Sequence, residues 1–197
     1  MIAAMSRSDG VPLPEPPLEG GEIRLRPFAD SDVDDLIEAC NDPETVRWLP
    51  QLPHPYTAED ARHWVRNRPA GFANGDDMSM AISDAADGRL LGSIGLARPD
   101  TSGRVIEVGY WVAPWGRGRG VATTATRLVV AWGIEDLGYE RIELYAAAGN
   151  IASHRVAEHV GFIREGCLRA RELDRDGSPR DLIVYGLLRG EHPLRPR

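Results

Sequence analysis

Lysine is absent: all 23 basic residues of the chain are arginine. A Walker A loop, which sets a lysine at the phosphates, is therefore excluded, and so is Schiff-base catalysis, which needs a lysine amine. Cysteine is scarce. Cys40 and Cys167 stand far apart and form no CxxC pair, so neither a zinc ribbon nor a disulfide framework is indicated, and a reducing cytoplasm fits. No segment is long and apolar enough to span a bilayer, and the first 21 residues lack a basic region followed by a continuous apolar stretch. An unexported, cytoplasmic protein without a membrane partner is expected. HExxH motifs and Cys/His clusters are also missing. His154 and His159 are five apart, on different sides of a helix, while His54, His63 and His192 are isolated, so no metal is expected.

What is present in excess is acid. Thirty carboxylates against 23 arginines give a formal charge of -7, which argues against a general phosphate-backbone binder and so against a nucleic-acid partner. A cationic partner suits such a body, although solubility alone explains it equally well. With 197 residues and 42% hydrophobic content the chain has the size of one domain able to bury a core and a ligand cleft. Residues 1–20, rich in Pro, Gly and acid, are expected as a mobile or extended leader, 21–190 as the domain and 191–197 as a tail.

The hydrophobic period changes along the chain. Glu22 to Phe28 alternates as a half-buried strand does, and Asp30 or Ser31 caps a helix carrying Val33, Leu36 and Ile37 inward. Asn41-Asp-Pro-Glu44 opens a short helical run through Trp48. Thr57-Ala-Glu-Asp60 reads as a capping box before Ala61, Trp64 and Val65, and a polar loop follows at Gly71 to Asp77. Three strands are expected at Met78 to Ser83, Leu90 to Ala97 and Val105 to Val112, with Asp-Gly and Ser-Gly turns that imply antiparallel hairpins. Val121, Ala125, Leu128 and Trp132 recur at helical spacing, so Arg119 to Leu137 reads as a helix with one buried face. Arg141 to Ala146 returns to strand, Ile151 to Val160 to helix, and Phe162 to Leu173 and Leu182 to Leu188 flank a last Asp176-Gly177 turn. The sum is a mixed α+β domain without internal repeats.

The most informative segment runs from Trp111 to Thr123, where Gly116, Gly118 and Gly120 alternate with Arg117 and Arg119 and lead into the amphipathic helix. Glycines let backbone approach a ligand, and the free amides of a helix start, at the positive end of its dipole, attract phosphate. Mobile charge from Arg117 and Arg119 would add to this, making pyrophosphate the natural guest. The plainer alternative is a tight turn with solvated arginines, although a single residue at positive φ would serve a turn. A dinucleotide-binding fingerprint is a poor match: from Gly118 and Gly120 the pattern meets Thr123 where its third glycine belongs. Even with Glu143 posing as its ribose acid, that fold needs a parallel unit around the motif, whereas hairpins precede it here.

Arg117-Gly-Arg-Gly-Val-Ala122 resembles the acetyl-CoA signature R/Q-x-x-G-x-G/A of the GNAT superfamily, and the order of elements from Glu22 to Leu188 is similar to that whole fold. Asn41 to Trp48, Glu107 to Val112 and Asn150 to Ser153 ahead of Val160-Gly-Phe162 resemble its RimJ/RimL branch in particular. The resemblance implies a mostly antiparallel sheet that splays apart near Trp111 and Val112, with the pantetheine arm of acetyl-CoA in the gap and its pyrophosphate on Arg117, Gly118, Arg119, Gly120, Val121, Ala122 and Thr123. It also implies an N-acetyltransferase, with a homodimer as a mild expectation.

Amine acetylation needs a neutral amine, stabilisation of an oxyanion and a proton for the departing thiolate; holding the reactants together supplies most of the rate. Glu107 alternates with Gly109 and Trp111 onto one strand face and is the candidate base, directly or through water; a solvated carboxylate that only attracts the ammonium is the alternative. Ser153 shares a helical face with Val156, Ala157 and Val160 and is the candidate acid, while Asn150 would contact the pantetheine or adenine side. An ordinary N-cap and first-turn residue would look the same. Many superfamily members carry a tyrosine acid seven residues after that asparagine, where this chain has Ala157, so water or Tyr145 also stand as donors. The resemblance puts the acceptor between Trp48 to Tyr56 and Arg171 to Asp181, with Trp48 and Tyr56 able to pack on it or simply to close the core. The acceptor is open between a protein α-amine and the amine of a small molecule such as an antibiotic or amino acid. An acyl-CoA sensor without transfer chemistry is a third possibility.

Overall fold

A computed structural model of the protein describes residues 10–100, 102 and 104–191. Eight strands form one sheet: β1 (Glu19–Gly20), β2 (Ile23–Arg26), β3 (Asp77–Asp84), β4 (Leu90–Ala97), β5 (Val105–Val112), β6 (Arg141–Ala147), β7 (Ile163–Leu173) and β8 (Pro179–Leu188). Their spatial order is β1-β2-β3-β4-β5-β6-β8-β7, and every neighbouring pair is antiparallel except β5 with β6. Helices α1 (Val33–Cys40), α2 (Pro43–Trp48) and α3 (Ala58–Asn74) lie between β2 and β3, α4 (Val121–Ala131) joins β5 to β6, and α5 (Ile151–Val160) joins β6 to β7. This is the expected α+β architecture. The parallel pair has a physical cause: β5 and β6 are linked through α4, a crossover, whereas the hairpins before and after it use short turns. Among the described residues no helix is long and apolar enough to cross a membrane.

The sheet has a core on each face. The larger one packs Ile106, Ile142 and Leu144 against Val129 and Val130 of α4 and Ala157 and Val160 of α5. The smaller packs Ala81 and Leu90 against Val33, Leu36 and Cys40 of α1 and Ala61 and Val65 of α3. Burial pushes the Cys40 thiol up to about 12, so this cysteine behaves as an inert apolar side chain. Near the smaller core, Asp32 is 2% exposed and accepts two hydrogen bonds from the Arg26 guanidinium at 2.7 and 2.6 Å and a third from the Ala29 amide. That pair locks β2 to the start of α1.

Three of the differences from the sequence expectation bear on packing. Residues 10–20 are not a free leader: Leu18 is buried, β1 pairs with β2, and the Val11 amide donates to the Phe72 carbonyl at 2.8 Å. Residues 1–9 and 192–197, with His192 and most of the expected tail, lie outside the described residues. Second, α3 continues through Pro69 to Asn74 where a loop was expected from Gly71. Its Thr57–Asp60 capping box forms as predicted, and the burial of Phe72 against Trp132 together with the Arg68–Asp77 ion pair holds the last turns. Tertiary packing here outweighs the poor helical preference of Pro and Gly. Third, α4 begins at Val121 rather than Arg119, because Gly118 and Gly120 take left-handed conformations, and its C-terminal end is a π turn at Trp132–Asp136.

Candidate active site

The parallel pairing of β5 with β6 covers only Val105 to Glu107 opposite Arg141 to Glu143. Beyond it the two strands part. β5 stays paired with β4 as far as Val112, and β6 with β8 as far as Ala147, so the sheet is continuous on either side of a wedge-shaped gap. The sequence expectation set the parting near Trp111 and Val112; it begins four residues earlier, directly after Glu107. The gap opens into a cleft of about 1030 Å³ whose lining includes Trp111, Val112, Gly118, Gly120, Asn150 and Ser153.

The glycine loop forms one end of this cleft. Gly118 and Gly120 have φ of +75 and +74°, which L side chains rarely adopt, and a Cβ at either would meet no protein atom within 4 Å. Their requirement is therefore conformational, with open space on the ligand side. Gly120 is the N-cap of α4 and no side chain caps that end, whereas Asp42, Thr57 and Asn150 cap α2, α3 and α5. The first-turn amides of α4, among them Val121, Ala122 and Thr123, thus keep their donors for an anion. Acetyl-CoA fits these residues: its pyrophosphate suits the uncapped amides and its extended arm suits a gap between two half-unpaired strands.

The structure corrects the expectation about the arginines. Arg117 is paired within the protein: Nε donates to the Val112 carbonyl at 3.2 Å, and Nη2 to Asp42 at 2.5 Å and to Thr45 Oγ1 at 2.9 Å. Arg119 donates to Asp84 at 2.9 Å and Glu22 at 3.1 Å. Both clamp the loop to the domain. Burial alone raises the Asp42 carboxyl, but hydrogen bonds from Arg117 and the Thr45 amide, and the charge of Arg117, outweigh it and hold Asp42 below the usual carboxylate range.

The two faces of the gap carry different chemistry. On β5, Tyr110 and Val112 pack with the larger core and Trp111 with the smaller, so strand alternation places Glu107 and Gly109 on the Trp111 face. A Cβ on Gly109 would meet nothing within 4 Å, leaving room beside Glu107. Both Glu107 oxygens accept from Arg98 Nη1 at 2.9 Å; Arg98 holds a left-handed backbone (φ 53°) and its side chain is 75% exposed. Tyr145 stands across the gap, where its hydroxyl donates to Glu143 at 2.6 Å. Burial, then Glu143 and Glu107, push that phenol up to about 12. The proximity to Glu107 puts Tyr145 on the carboxylate face and not beside Ser153.

On the opposite face Asn150 caps α5, accepting from the Ser153 amide at 3.2 Å. This brings Ser153 to the wall of the cleft above Ala157 and Val160, which are buried. Tyr110, which the sequence did not single out, lies beside Ser153. Its hydroxyl is buried without a hydrogen-bond partner, and burial, partly offset by Ser153, pushes it up to about 12. The candidate base and the candidate acid thus face each other through the sheet.

The acceptor end is assembled from distant segments. Trp48 lines the cleft, its indole N–H donating to Glu44 at 2.6 Å, with the Arg47 guanidinium 4.6 Å from its ring centroid. Tyr56 does not reach the cleft: it is 5% exposed among Leu36, Cys40 and Val65, so it closes the smaller core. Instead, two arginines fasten the β7–β8 hairpin to α2, and one of them, Arg180, lines the cleft. Arg175 donates to the carbonyls of Val46, Leu49 and Leu52, satisfying the C-terminal end of α2, and Arg180 reaches Arg47 and Trp48 carbonyls while pairing with Glu172 and Asp174. Sequence separations above 120 residues hid the contacts with those carbonyls. Among the described residues no group of three His, Cys, Asp or Glu side chains is placed to hold a metal.

Residues 22–163 match the family model described as "Acetyltransferase (GNAT) domain". The chain is 32% identical over 175 residues to "Putative ribosomal N-acetyltransferase YdaF" of Bacillus subtilis (strain 168), covering 86% of this chain and 92% of that one. Among solved structures it is similar to a GCN5-related N-acetyltransferase from Brucella melitensis, with TM-score 0.75, 30% identity, and coverage of 93% of this chain and 83% of that one. The fold also matches the microcin C7 self-immunity acetyltransferase MccE, solved with acetyl-CoA and AMP, at TM-score 0.73, 19% identity, and coverage of 86% and 93%. Together with the interrupted β5–β6 pair and the uncapped glycine loop, these matches show that the chain belongs to the GNAT family of acetyl-CoA-dependent N-acetyltransferases.

Proposed function

We propose that this enzyme acetylates the α-amine at the N-terminus of a protein or peptide, as the RimJ/RimL branch does, with Glu107 as base and Ser153 as proton donor. The observation that carries this reading is the acceptor end of the cleft. It runs past Glu107 as an open groove between α2 and the β7–β8 hairpin, with Trp48, Leu49, Leu52 and Leu182 along it. Of the carboxylates that line it, three are matched by arginines, Asp77 with Arg68, Glu107 with Arg98 and Glu172 with Arg180, while Glu44 accepts from the Trp48 indole. A pocket for a small polycationic amine needs enclosure and unmatched acid; an extended chain needs length and apolar footing. The name of the Bacillus subtilis relative points the same way.

In this reading acetyl-CoA supplies the activated acyl group, and the chain's own residues orient and move protons. The incoming ammonium approaches on the Glu107 face, displaces Arg98 from the carboxylate, and loses its proton there or to an intervening water. The exposure of Arg98 favours that exchange. The sulfur departs toward Ser153 on the opposite face. Separating the two proton transfers by the sheet keeps acid and base from neutralising one another.

The test is thiol release from acetyl-CoA with peptides beginning in Ser, Ala or Met set against free amino acids and small polyamines, with the acetylated position located by mass spectrometry. Turnover on peptide α-amines at least tenfold above the small amines is expected; the reverse order assigns a small-molecule acceptor. β7 exposes Ile163 and Leu168 at the open edge of the sheet, which supports the homodimer the family suggests. Sedimentation equilibrium reads that directly, and a monomer at tens of micromolar removes it.

A further inference from the structure

The hydroxyl of Tyr110 has no hydrogen-bond partner although no water reaches it. Buried hydroxyls are ordinarily paired, and one left alone is a cost that phenylalanine at the same place would avoid. Tyr110 also sits where such a group has something to do. It projects from β5 in the stretch that has parted from β6, on the face occupied by α5, and both it and Ser153 line the cleft. The Ser153 hydroxyl is near enough to act on the Tyr110 phenol, yet no bond of good geometry is closed between them.

A serine hydroxyl has one hydrogen and two lone pairs, and its hydrogen rotates freely unless something fixes it. A phenol behind it that donates to Oγ occupies a lone pair and leaves the serine hydrogen to point forward into the cleft. Ala157 provides the second reason: this α5 residue, one turn beyond Ser153, carries only a methyl group and is completely buried, so it places no hydroxyl beside the serine. A tyrosine delivered from the neighbouring strand stands on the same side of the gap. Tyr145, the other phenol at the gap, is committed to Glu143.

We propose that Tyr110 is a positioning residue for proton delivery: its hydroxyl donates to Ser153 Oγ and thereby aims the Ser153 hydrogen at the sulfur that leaves during acyl transfer. This rests on the reading of Ser153 as the donor. As the C–N bond forms, the C–S bond breaks and its electron pair goes to sulfur. Sulfur takes the Ser153 hydrogen, the proton that the acceptor amine has released returns to the serine through water in the cleft, and Tyr110 keeps its own hydrogen throughout. Amine and thioester become amide and thiol, and the protein ends as it began.

The test needs no acceptor, because the product CoA carries the same sulfur. The acidity of the CoA thiol bound to the enzyme is followed by thiolate absorbance against pH, in the wild type and in Tyr110→Phe, Ser153→Ala and the double variant. Bound thiol is expected to ionise at least one pH unit below free CoA in the wild type, since a directed donor stabilises the thiolate. Tyr110→Phe should return at least half of that difference, with CoA affinity within threefold and melting temperature unchanged or higher. The double variant should be no different from Ser153→Ala alone, the mark of residues acting in series. A wild-type titration in Tyr110→Phe overturns the proposal while leaving Ser153 in place. A wild-type titration in Ser153→Ala overturns the donor reading itself. A loss of CoA affinity beyond threefold in Tyr110→Phe makes the phenol a binding group and equally overturns the proposal.

Discussion

The two ends of the cleft are built from different materials. The cofactor end is backbone: an interrupted strand pair, two left-handed glycines and the uncapped first turn of α4, all within residues 105–123 apart from β6 and the start of α5. The other end is side chain: Arg98 and Arg180 line it, each holding a nearby carboxylate, and Arg175 and Arg180 tie the hairpin to distant carbonyls of residues 46–52. Pyrophosphate and pantetheine present the same atoms in every reaction, and fixed amides recognise fixed atoms without any ordering of long side chains. An acceptor wall of arginine clips can change its shape by substitution without disturbing the cofactor half. Arg117 and Arg119 are occupied by Asp42, Asp84 and Glu22, which ties the loop to the domain.

Breaking the backbone end should have the largest consequence. Gly120→Asp keeps a residue type that tolerates left-handed backbone but sets a carboxylate against the phosphates, and like charges brought together cost several kcal/mol. Acetyl-CoA affinity measured by calorimetry is expected to fall by more than about a hundredfold, with the fold intact by circular dichroism. Unchanged affinity would remove the loop from cofactor binding. Glu107→Gln comes next. Loss of a general base typically costs about 10²-fold or more, so turnover should drop by that order while acetyl-CoA affinity stays the same, dividing chemistry from binding.

The side-chain end is sharpened by Arg180→Ala. It removes charge-assisted bonds worth roughly 1.5–3 kcal/mol each from the wall proposed to hold the acceptor. The KM for the peptide acceptor should rise about tenfold, by the conversion of 1.4 kcal/mol per decade, with acetyl-CoA affinity unmoved. A parallel loss of acetyl-CoA affinity would mean the two ends are not separable. Asp42→Asn should be the mildest change, since Asn also caps a helix well and only the charge toward Arg117 is lost. A loss of about 0.5–1 kcal/mol in denaturant unfolding is expected at neutral pH. Asp42 is held below its ordinary range in the folded state, so its contribution is present above the unfolded value of about 4 and disappears as pH falls through the lowered folded value. The gap between wild type and variant should close in that acid window; a gap that persists there would not be electrostatic.

Much of this was legible along the chain because it is local. The β4 and α5 boundaries match the sequence expectation, as do those of β5, because alternation, helical spacing and the Asn150 and Gly161 caps act within a few residues. The Thr57–Asp60 capping box is local in the same way. What failed was context. Tyr56, an aromatic after a helix, reads equally well as ligand footing or core, and only its neighbours Leu36 and Cys40 decide for core. Arg117 and Arg119 look like free charge until Asp42 and Asp84 are brought beside them by folding. Arg175 and Arg180 carry no motif at all, since a guanidinium that serves distant carbonyls leaves no trace in its own surroundings.

The sequence by itself therefore determined the order and type of the elements, the glycine loop ahead of α4 and the exclusion of lysine chemistry, because these follow from residue type and short spacing. Only the tertiary structure decided where β5 and β6 part, that Glu107 and Ser153 face opposite sides of the gap, and that Tyr110 is left behind Ser153 with an unspent hydrogen bond. Those facts depend on how far two parallel strands stay in register and on which side chains burial brings together. Neither distance is written in a linear pattern.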